Sequence, residues 1–310
     1  MRIASIDIGT NTCLLLIADI DKSGILHFVN HQQRFPRIGK DVDSSNVIRQ
    51  DAFHEVSAIL NEYRKIALDH HSDRLIACAT SAVRDAINKE EFLTFLQKSS
   101  GITVELLSGT EEATLSYIGV ISGVEDQSKP YVILDIGGGS TEISYPVNGI
   151  IQSQSLQIGA VRITERYFSN QPPQKNELGE GTNYIDRNLQ SINPHIFDGT
   201  SLIGVAGTVT TLACLIQDLK TFDRKKVAGF SLSGDQVDEW LDRLSHMNTD
   251  EILGLSEATL GRSDILTGGV LILSRFMHLF SFQEITVSDR GLRYGFALRD
   301  WKRSLNYHSL

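Results

Sequence analysis

The sequence predicts an α/β protein with a duplicated fold, in two lobes that each contain a mixed five-stranded sheet with flanking helices. Two strand–turn–strand segments of the same design support this prediction: IASIDIGTNTCLLLIADI at 3–20 and YVILDIGGGSTEISYPV at 131–147. The predicted elements that follow each segment also come in the same order. With 310 residues the chain is long enough for about two domains, which we place at 1–125 and 126–310.

Each half is predicted to follow the order βββαβαβα. In the first half, a third strand, a long amphipathic helix and a buried strand ending in small residues are predicted at 25–33, 51–69 and 75–83. In the second half, the same elements are predicted at 150–158, 175–192 and 202–210. A short strand and a terminal helix complete each half, and the last helix, near 292–302, is one that can pack back on the first lobe. Agreement over several elements is stronger evidence for duplication than one shared turn.

Two turns, at 9–12 and 137–139, are followed by alternating strand patterns and not by helices. This excludes a Rossmann or P-loop site, in which a helix directly follows the glycines. A Gly-Gly-Gly turn alone is more often a tight hairpin, but its successive N–H groups can also hold an anion. Because two matching turns occur, we predict phosphate contacts from both. The predicted contacts are Thr10, Asn11, Thr12, Gly137, Gly138, Gly139, Ser140 and Thr141.

Carboxylates flank both turns. Asp7 and Asp135 lie at strand ends just before the glycines, and Glu142 follows the second turn on the adjoining strand. Isolated carboxylates at strand ends usually cap turns, whereas two that meet suit Mg²⁺, which takes one or two carboxylates with waters and phosphate oxygens. We therefore predict Mg²⁺ as a cofactor, with Asp7, Asp135 and Glu142 as candidate ligands. For Glu142, the alternatives are to orient a water molecule or to lie on a solvent-facing strand.

The segment Ser108-Gly-Thr-Glu-Glu-Ala gives two neighbouring glutamates different predicted roles. Ser108 and Glu111 have the S-x-x-E spacing of a capping box, so Glu111 is predicted to stabilise a helix N-terminus. Glu112 lies about 100° further around that helix and is not used by the cap. Its carboxylate is either a surface acid that favours the helix dipole or a group available for catalysis.

Composition limits the partners and the compartment. The net charge of −9 argues against general nucleic-acid binding by a basic surface. Three scattered cysteines without CxxC spacing suit a reducing cytoplasm and argue against structural zinc. No apolar stretch approaches the roughly 18 residues of a membrane span, and the N-terminus does not resemble a signal peptide. We expect a cytoplasmic protein without nucleic-acid or membrane partners.

Five ordered motifs give the sequence a specific resemblance: DIGTNT at 7–12, TSAVRDA at 80–86, SGTEEA at 108–113, DIGGGSTE at 135–142 and AGTVTTL at 206–212. The chain resembles the superfamily of actin, the heat-shock chaperone ATPases and the sugar kinases. Within it, the motifs are similar to those of the exopolyphosphatase/guanosine pentaphosphate phosphohydrolase family, in its short two-domain form. One departure is Tyr294, where the family commonly has Glu, so that segment is given no catalytic role.

The resemblance implies a duplicated actin-like (ribonuclease H-like) fold with a cleft between the lobes, into which both turns point. It implies that Glu112 is the general base, that Asp135 and Glu142 complete the catalytic carboxylates, and that Arg84 clamps phosphate. Strand-to-helix junctions at Ser81 and at Gly207 and Thr208 are further predicted phosphate contacts. The basic loop with Arg34, Arg37 and Lys40 either contacts phosphates or is merely solvated.

The implied activity is Mg²⁺-dependent release of terminal orthophosphate from inorganic polyphosphate. Guanosine pentaphosphate is the alternative substrate within the family. A small-molecule kinase of the same superfamily and an inactive nucleotide-binding regulator are more distant alternatives. A homodimer is left open as the quaternary structure.

Overall fold

The structure, a computed structural model, describes residues 1–307. The chain forms two compact units, and the first contains Met1–Glu125 together with the residues from Arg290 onward. The second unit is Asp126–Asp289. It therefore ends before the limit of 310 predicted from the sequence, because the last helix packs against the first strands of the chain. Within the described residues, no helix is both long and apolar enough to cross a membrane.

The first unit contains a mixed five-stranded sheet in the order β3-β2-β1-β4-β5. Its strands are β1 (Arg2–Ile8), β2 (Cys13–Ile20), β3 (Leu26–Arg34), β4 (Arg74–Ala79) and β5 (Val104–Leu106). Its helices are α1 (Val42–Ser45), α2 (Gln50–Asp69), α3 (Ser81–Asp85), α4 (Lys89–Ser100), α5 (Gly109–Ile121) and the last helix of the chain, α13 (Leu292–Tyr307). The first three strands pair antiparallel, whereas β4 and β5 extend the sheet in parallel.

Helices cover both faces of this sheet, which explains why most residues of β1 and β2 are buried and why β2 is almost continuously apolar. One face packs against α2 and α4 through side chains that include Phe53, Leu60 and Phe92. The other face packs against α13, where Tyr294 is fully buried beside Ile3 and other apolar residues of β1 and β2. Tyr294 is thus a core residue, consistent with the absence of a predicted catalytic role.

The second unit contains a sheet of six strands in the order β10-β11-β9-β6-β7-β8, one more than predicted. The strands are β6 (Tyr131–Ile136), β7 (Thr141–Val147), β8 (Ile150–Leu156), β9 (Ser201–Val205), β10 (Ser231–Ser233) and β11 (Glu284–Val287). The additional strand, β10, has three residues and pairs antiparallel with β11 at the edge. So short a segment carries no recognisable alternation. The remaining pairings repeat those of the first unit, so the predicted α/β fold with two mixed sheets is confirmed.

Seven helices flank the second sheet within the described residues. They are α6 (Ala160–Tyr167), α7 (Lys175–Leu189), α8 (Ala206–Ile216), α9 (Arg224–Val227), α10 (Gly234–Leu244), α11 (Thr249–Leu253) and α12 (Leu266–Leu279), with short 3₁₀ segments at Pro194–Phe197 and Glu257–Thr259. The two segments predicted as buried strands at 75–83 and 202–210 are strands only as far as Ala79 and Val205. In both, a helix begins within two residues, at Ser81 and at Ala206.

Candidate active site

The first turn joins β1 to β2 and is closed by its own backbone. The N–H of Gly9 donates to the carbonyl of Thr12 at 2.8 Å. The segment that carries the predicted basic loop packs onto this turn, because the N–H of Gly39 donates to Thr10 O at 2.8 Å and that of Arg37 to Asn11 O at 3.3 Å. The loop is therefore a structural support of the turn, whatever its arginines contact.

The second turn joins β6 to β7 and repeats the same design. The N–H of Gly137 donates to the carbonyl of Ser140 at 3.0 Å. A Cβ added to Gly137 would lie 3.0 Å from that carbonyl oxygen, and one added to Gly9 would lie 3.2 Å from Thr12 O. Both turns are thus tight enough to favour glycine at the first position, which explains the shared Asp-Ile-Gly sequence.

Thr141, a predicted phosphate contact at the second turn, uses its hydroxyl in a hydrogen bond within the protein. Thr141 is fully buried, and its hydroxyl donates to the carbonyl of Ile158 at 2.6 Å. A threonine hydroxyl has a single proton to donate, so Thr141 does not offer that proton to a ligand in this structure. Ser140, which is also buried, immediately precedes it in the turn.

Arg84 and Glu112 form a mostly buried ion pair in the first unit. Nη1 of Arg84 donates to Oε2 of Glu112 at 3.0 Å and to the carbonyl of Leu107 at 3.0 Å. Within the described residues, Nη2 of Arg84 and the hydroxyl of nearby Ser81 are buried and have no hydrogen-bond partner. Since buried donors are normally satisfied, these two are suited to the oxygens of an anionic ligand. Helix α3 has only five residues, so we expect any anion bound here to be held by these side chains and not by the helix dipole.

Glu111 performs the capping role predicted for it. Its backbone N–H donates to Ser108 Oγ at 3.2 Å, and its Oε2 accepts from the Ser108 N–H at 2.9 Å. The Ser108 hydroxyl and N–H together hold the pKa of the Glu111 carboxyl below its ordinary value. The capping box is therefore confirmed, and it leaves Glu112 buried on another side of the same helix.

Asp7 lies at the end of β1, where it pairs in register with Cys78 of β4. Both Cys78 and Cys13 are fully buried, and burial followed by the charge of Asp7 raises the pKa of each thiol well above its ordinary value. These thiols are therefore protonated near neutral pH and are not anionic ligands that would compete with Asp7 for a cation.

Asp135 and Glu142 are direct cross-strand neighbours in the register of β6 and β7. Opposed carboxylates of this kind repel each other unless a cation or a proton lies near them. Glu142 is buried and accepts a hydrogen bond of 2.6 Å from Ser155 Oγ on β8. The described residues contain no group of three potential metal ligands, yet two carboxylates with waters and phosphate oxygens are enough for Mg²⁺. The pair therefore fits the ion that the sequence predicts.

Two arginines beside the predicted phosphate contacts were missed by the sequence analysis. Arg262 lies against Gly207, where an added Cβ would be 1.9 Å from its Nη1, and it donates to Thr211 Oγ1 at 3.2 Å. Burial lowers the pKa of Arg262 to about 10. Arg162 on α6 donates through Nε to Gly139 O at 2.7 Å. Neither has a local sequence signal, since each partner is far away in the chain.

Comparison with known proteins identifies the family of the chain. The profile of the Ppx/GppA phosphatase family matches residues 16–304. The chain belongs to this family. Exopolyphosphatase 2 of Mycobacterium tuberculosis is 30% identical over 311 residues, which cover 96% of this chain and 98% of that protein.

Solved structures of family members have the same fold. The crystal structure of an exopolyphosphatase-like protein matches with a TM-score of 0.91 at 31% identity and covers 98% of each chain. The Ppx/GppA family member of Aquifex aeolicus matches with a TM-score of 0.81 at 29% identity, again over 98% of each chain. The resemblance seen in the five motifs is therefore confirmed at the level of the family.

Proposed function

We propose that this member of the family is an exopolyphosphatase that uses Mg²⁺ to hydrolyse the terminal phosphate from inorganic polyphosphate. The observation that carries the proposal is the buried pair of Arg84 and Glu112, with donors of Arg84 and Ser81 that the described residues leave unused. A carboxylate held by an arginine that still has an N–H for a phosphate oxygen can act on a water beside that phosphate. The 30% identity to an exopolyphosphatase over nearly the whole chain supports the same substrate class.

In this proposal, Glu112 takes a proton from a water molecule that attacks the terminal phosphorus. The bond between that phosphorus and the bridging oxygen breaks, and the products are orthophosphate and a chain one unit shorter. Arg84 bridges base and substrate, because Nη1 orients Glu112 while Nη2 binds a phosphate oxygen. Positioning and charge neutralisation account for most of the rate in such reactions, so these contacts are the main contribution of the protein.

The second unit is proposed to hold phosphate and metal. The backbone N–H groups of Gly138, Gly139 and Ser140 are proposed to bind phosphate oxygens. Asp135 and Glu142 are the residues of this unit proposed to hold Mg²⁺. The ion would neutralise charge on the phosphate oxygens and on the leaving group.

Phosphate release from a substrate panel tests the proposal. The purified protein is incubated with Mg²⁺ and polyphosphate, guanosine pentaphosphate or ATP, and orthophosphate is measured at early times. We expect the highest kcat/KM for polyphosphate and loss of the activity when EDTA removes the metal. A preference for guanosine pentaphosphate would assign the alternative substrate of the family, and release from none of the three would contradict hydrolase activity.

A further inference from the structure

The start of α6 holds the carbonyl groups of the glycine turn. The N–H of Ala160 donates to Gly137 O at 2.9 Å, and the N–H of Val161 donates to Gly138 O at 2.9 Å. The third carbonyl, that of Gly139, accepts from a side chain, because Arg162 Nε donates to it at 2.7 Å. Three consecutive carbonyls are thus fixed by three consecutive residues of one helix.

This arrangement determines where the N–H groups of the turn point. In a trans peptide the carbonyl and the following N–H point in opposite directions, and the one cis bond in the described chain is Gln171–Pro172. The N–H groups of Gly138, Gly139 and Ser140 therefore point away from the donors on α6. None of the three donates a hydrogen bond to another described residue. Successive N–H groups directed to one side form a binding site for an anion.

These hydrogen bonds require α6 to approach the turn closely. A Cβ added to Gly159 would lie 2.4 Å from Gly138 O, so a glycine is needed at the residue before the helix. In the first unit, the corresponding carbonyls of Thr10 and Asn11 accept from the backbone N–H groups of Gly39 and Arg37. In the second turn, the Gly139 carbonyl accepts from a cationic side chain, that of Arg162, a residue that is only 9% exposed.

We propose that Arg162 is a positioning residue that fixes the Gly139–Ser140 peptide so that its N–H binds the terminal phosphoryl group. The role rests on the proposed function. A glycine peptide without this bond has wide rotational freedom, so the N–H of Ser140 loses its fixed direction. The bond is charge-assisted and buried, which strengthens it and polarises the peptide so that the N–H is a better donor. Arg162 acts through the peptide and does not itself contact substrate.

The sequence offers a direct readout of this one peptide. Gly139–Ser140 is the only Gly-Ser pair in the chain. Cell-free synthesis with carbonyl-¹³C glycine and ¹⁵N serine therefore gives a single cross-peak in a spectrum that correlates each amide with the preceding carbonyl. The peak is followed in the full-length wild type, R162M and R162K during titration with pyrophosphate in the presence of Mg²⁺. R166M is the matched control, because Arg166 lies on the same helix but donates to Tyr184 Oη at 2.8 Å.

We expect the peak to move on pyrophosphate binding in wild type and R166M, with the same affinity in both. R162M should shift the peak before any ligand is added, weaken pyrophosphate binding by about ten-fold and raise KM for polyphosphate more than it lowers kcat. R162K should recover part of both effects, because an ammonium can still donate to the carbonyl. A residue with a merely structural role would lower the melting temperature without changing the ligand response.

Two outcomes would overturn the positioning role: a wild-type peak that ignores pyrophosphate, or an R162M response equal to that of R166M. Failure of the proposed function gives a different pattern. If wild type releases no phosphate from polyphosphate while its peak still responds to pyrophosphate through Arg162, the positioning role is supported and the exopolyphosphatase assignment falls.

Discussion

Glu111 and Glu112 are adjacent in sequence but differ by about 100° around α5, and their carboxylates have different partners. Glu111 accepts from the N–H and the hydroxyl of Ser108, whereas Glu112 pairs with Arg84. One substitution at each position therefore tests the capping role of Glu111 and the proposed catalytic role of Glu112 separately.

The substitution Glu112→Gln should abolish general base catalysis while leaving the fold in place. The amide cannot accept the proton of the attacking water, so we expect kcat to fall by about 100-fold or more. Steady-state phosphate release from polyphosphate measures this, with the far-ultraviolet circular dichroism spectrum as a check on folding. Glu111→Ala is the matched control and should keep at least half of the wild-type kcat; the reverse pattern would exchange the two roles.

Glu111→Ala should instead lower the free energy of unfolding, by about 1 kcal/mol near pH 7. The folded-state pKa of Glu111 lies below its ordinary value of 4.5, so its contribution is present above that value and is lost as the pH falls through the folded-state pKa. Urea unfolding of wild type and variant at several pH values should show the difference shrinking only below about pH 5. A difference that grows with acidification would contradict the capping role.

At the residue scale, the sequence was informative where partners are close in the chain. The capping box depends on a spacing of three residues, and the two glycine turns are defined within four residues each. Arg162 and Arg262 were missed because the groups they contact are brought to them only by the folding of the sheet and its helices. No local pattern distinguishes them from surface arginines.

At the scale of elements, the crossing of α5 and α13 depends on glycines. A Cβ added to Gly295 would lie 1.8 Å from Leu115 O, and one added to Gly119 would lie 2.1 Å from Gly291 O. Because both obstacles are backbone atoms, no side chain can move aside. The helices therefore approach as closely as their backbones allow, which fixes α13 to the first unit.

Because of this packing, glycine-to-alanine substitutions in two helices should change the stability of the protein in opposite directions. Gly295→Ala should destabilise the protein by about 3 kcal/mol, because the helices must separate to admit the methyl group. Gly179→Ala on α7 has nothing within 4 Å of the added Cβ and should stabilise by about 0.5–1 kcal/mol through helix propensity. Thermal or urea unfolding of both variants measures the difference, and similar effects of the two would show that the crossing is not tightly packed.

Elements with a clear periodicity of apolar residues could be predicted from the sequence. Elements that form only through pairing or packing with a distant part of the chain could not. The helix predicted at 51–69 is observed at Gln50–Asp69, because its apolar spacing follows the face it buries. The strand β10 was missed, since three residues hold too little pattern to identify an edge strand. The sequence also left the packing of α13 undecided, because a helix does not reveal which sheet its apolar face covers.

At the scale of the whole molecule, the net charge is −9, and the basic clusters are short, such as those at Arg34–Lys40 and Arg290–Arg293. We therefore expect the protein to contact only a few phosphates of a polyanion at a time. Two of the arginines in those clusters are used within the protein, since Arg34 pairs with Glu62 and Arg290 donates to Ser122 O at 3.0 Å. We therefore expect distributive hydrolysis, a preference for short chains and a shallow dependence of affinity on salt. Gel analysis of a long-chain digest at limiting enzyme should show a gradual downward smear. Full-length chains that persist beside free phosphate, without intermediates, would indicate processive action.

In the proposed reaction, the terminal phosphoryl group of polyphosphate is transferred to water with Glu112 as the base. To test it, the wild-type protein is incubated with polyphosphate and Mg²⁺ in oxygen-18 water, and the released orthophosphate is analysed by mass spectrometry. We predict that each early product molecule carries one oxygen atom from the solvent and that the E112Q variant forms the product about 100-fold more slowly. Unlabelled orthophosphate, no orthophosphate release, or equal rates for E112Q and the wild type would contradict the proposal.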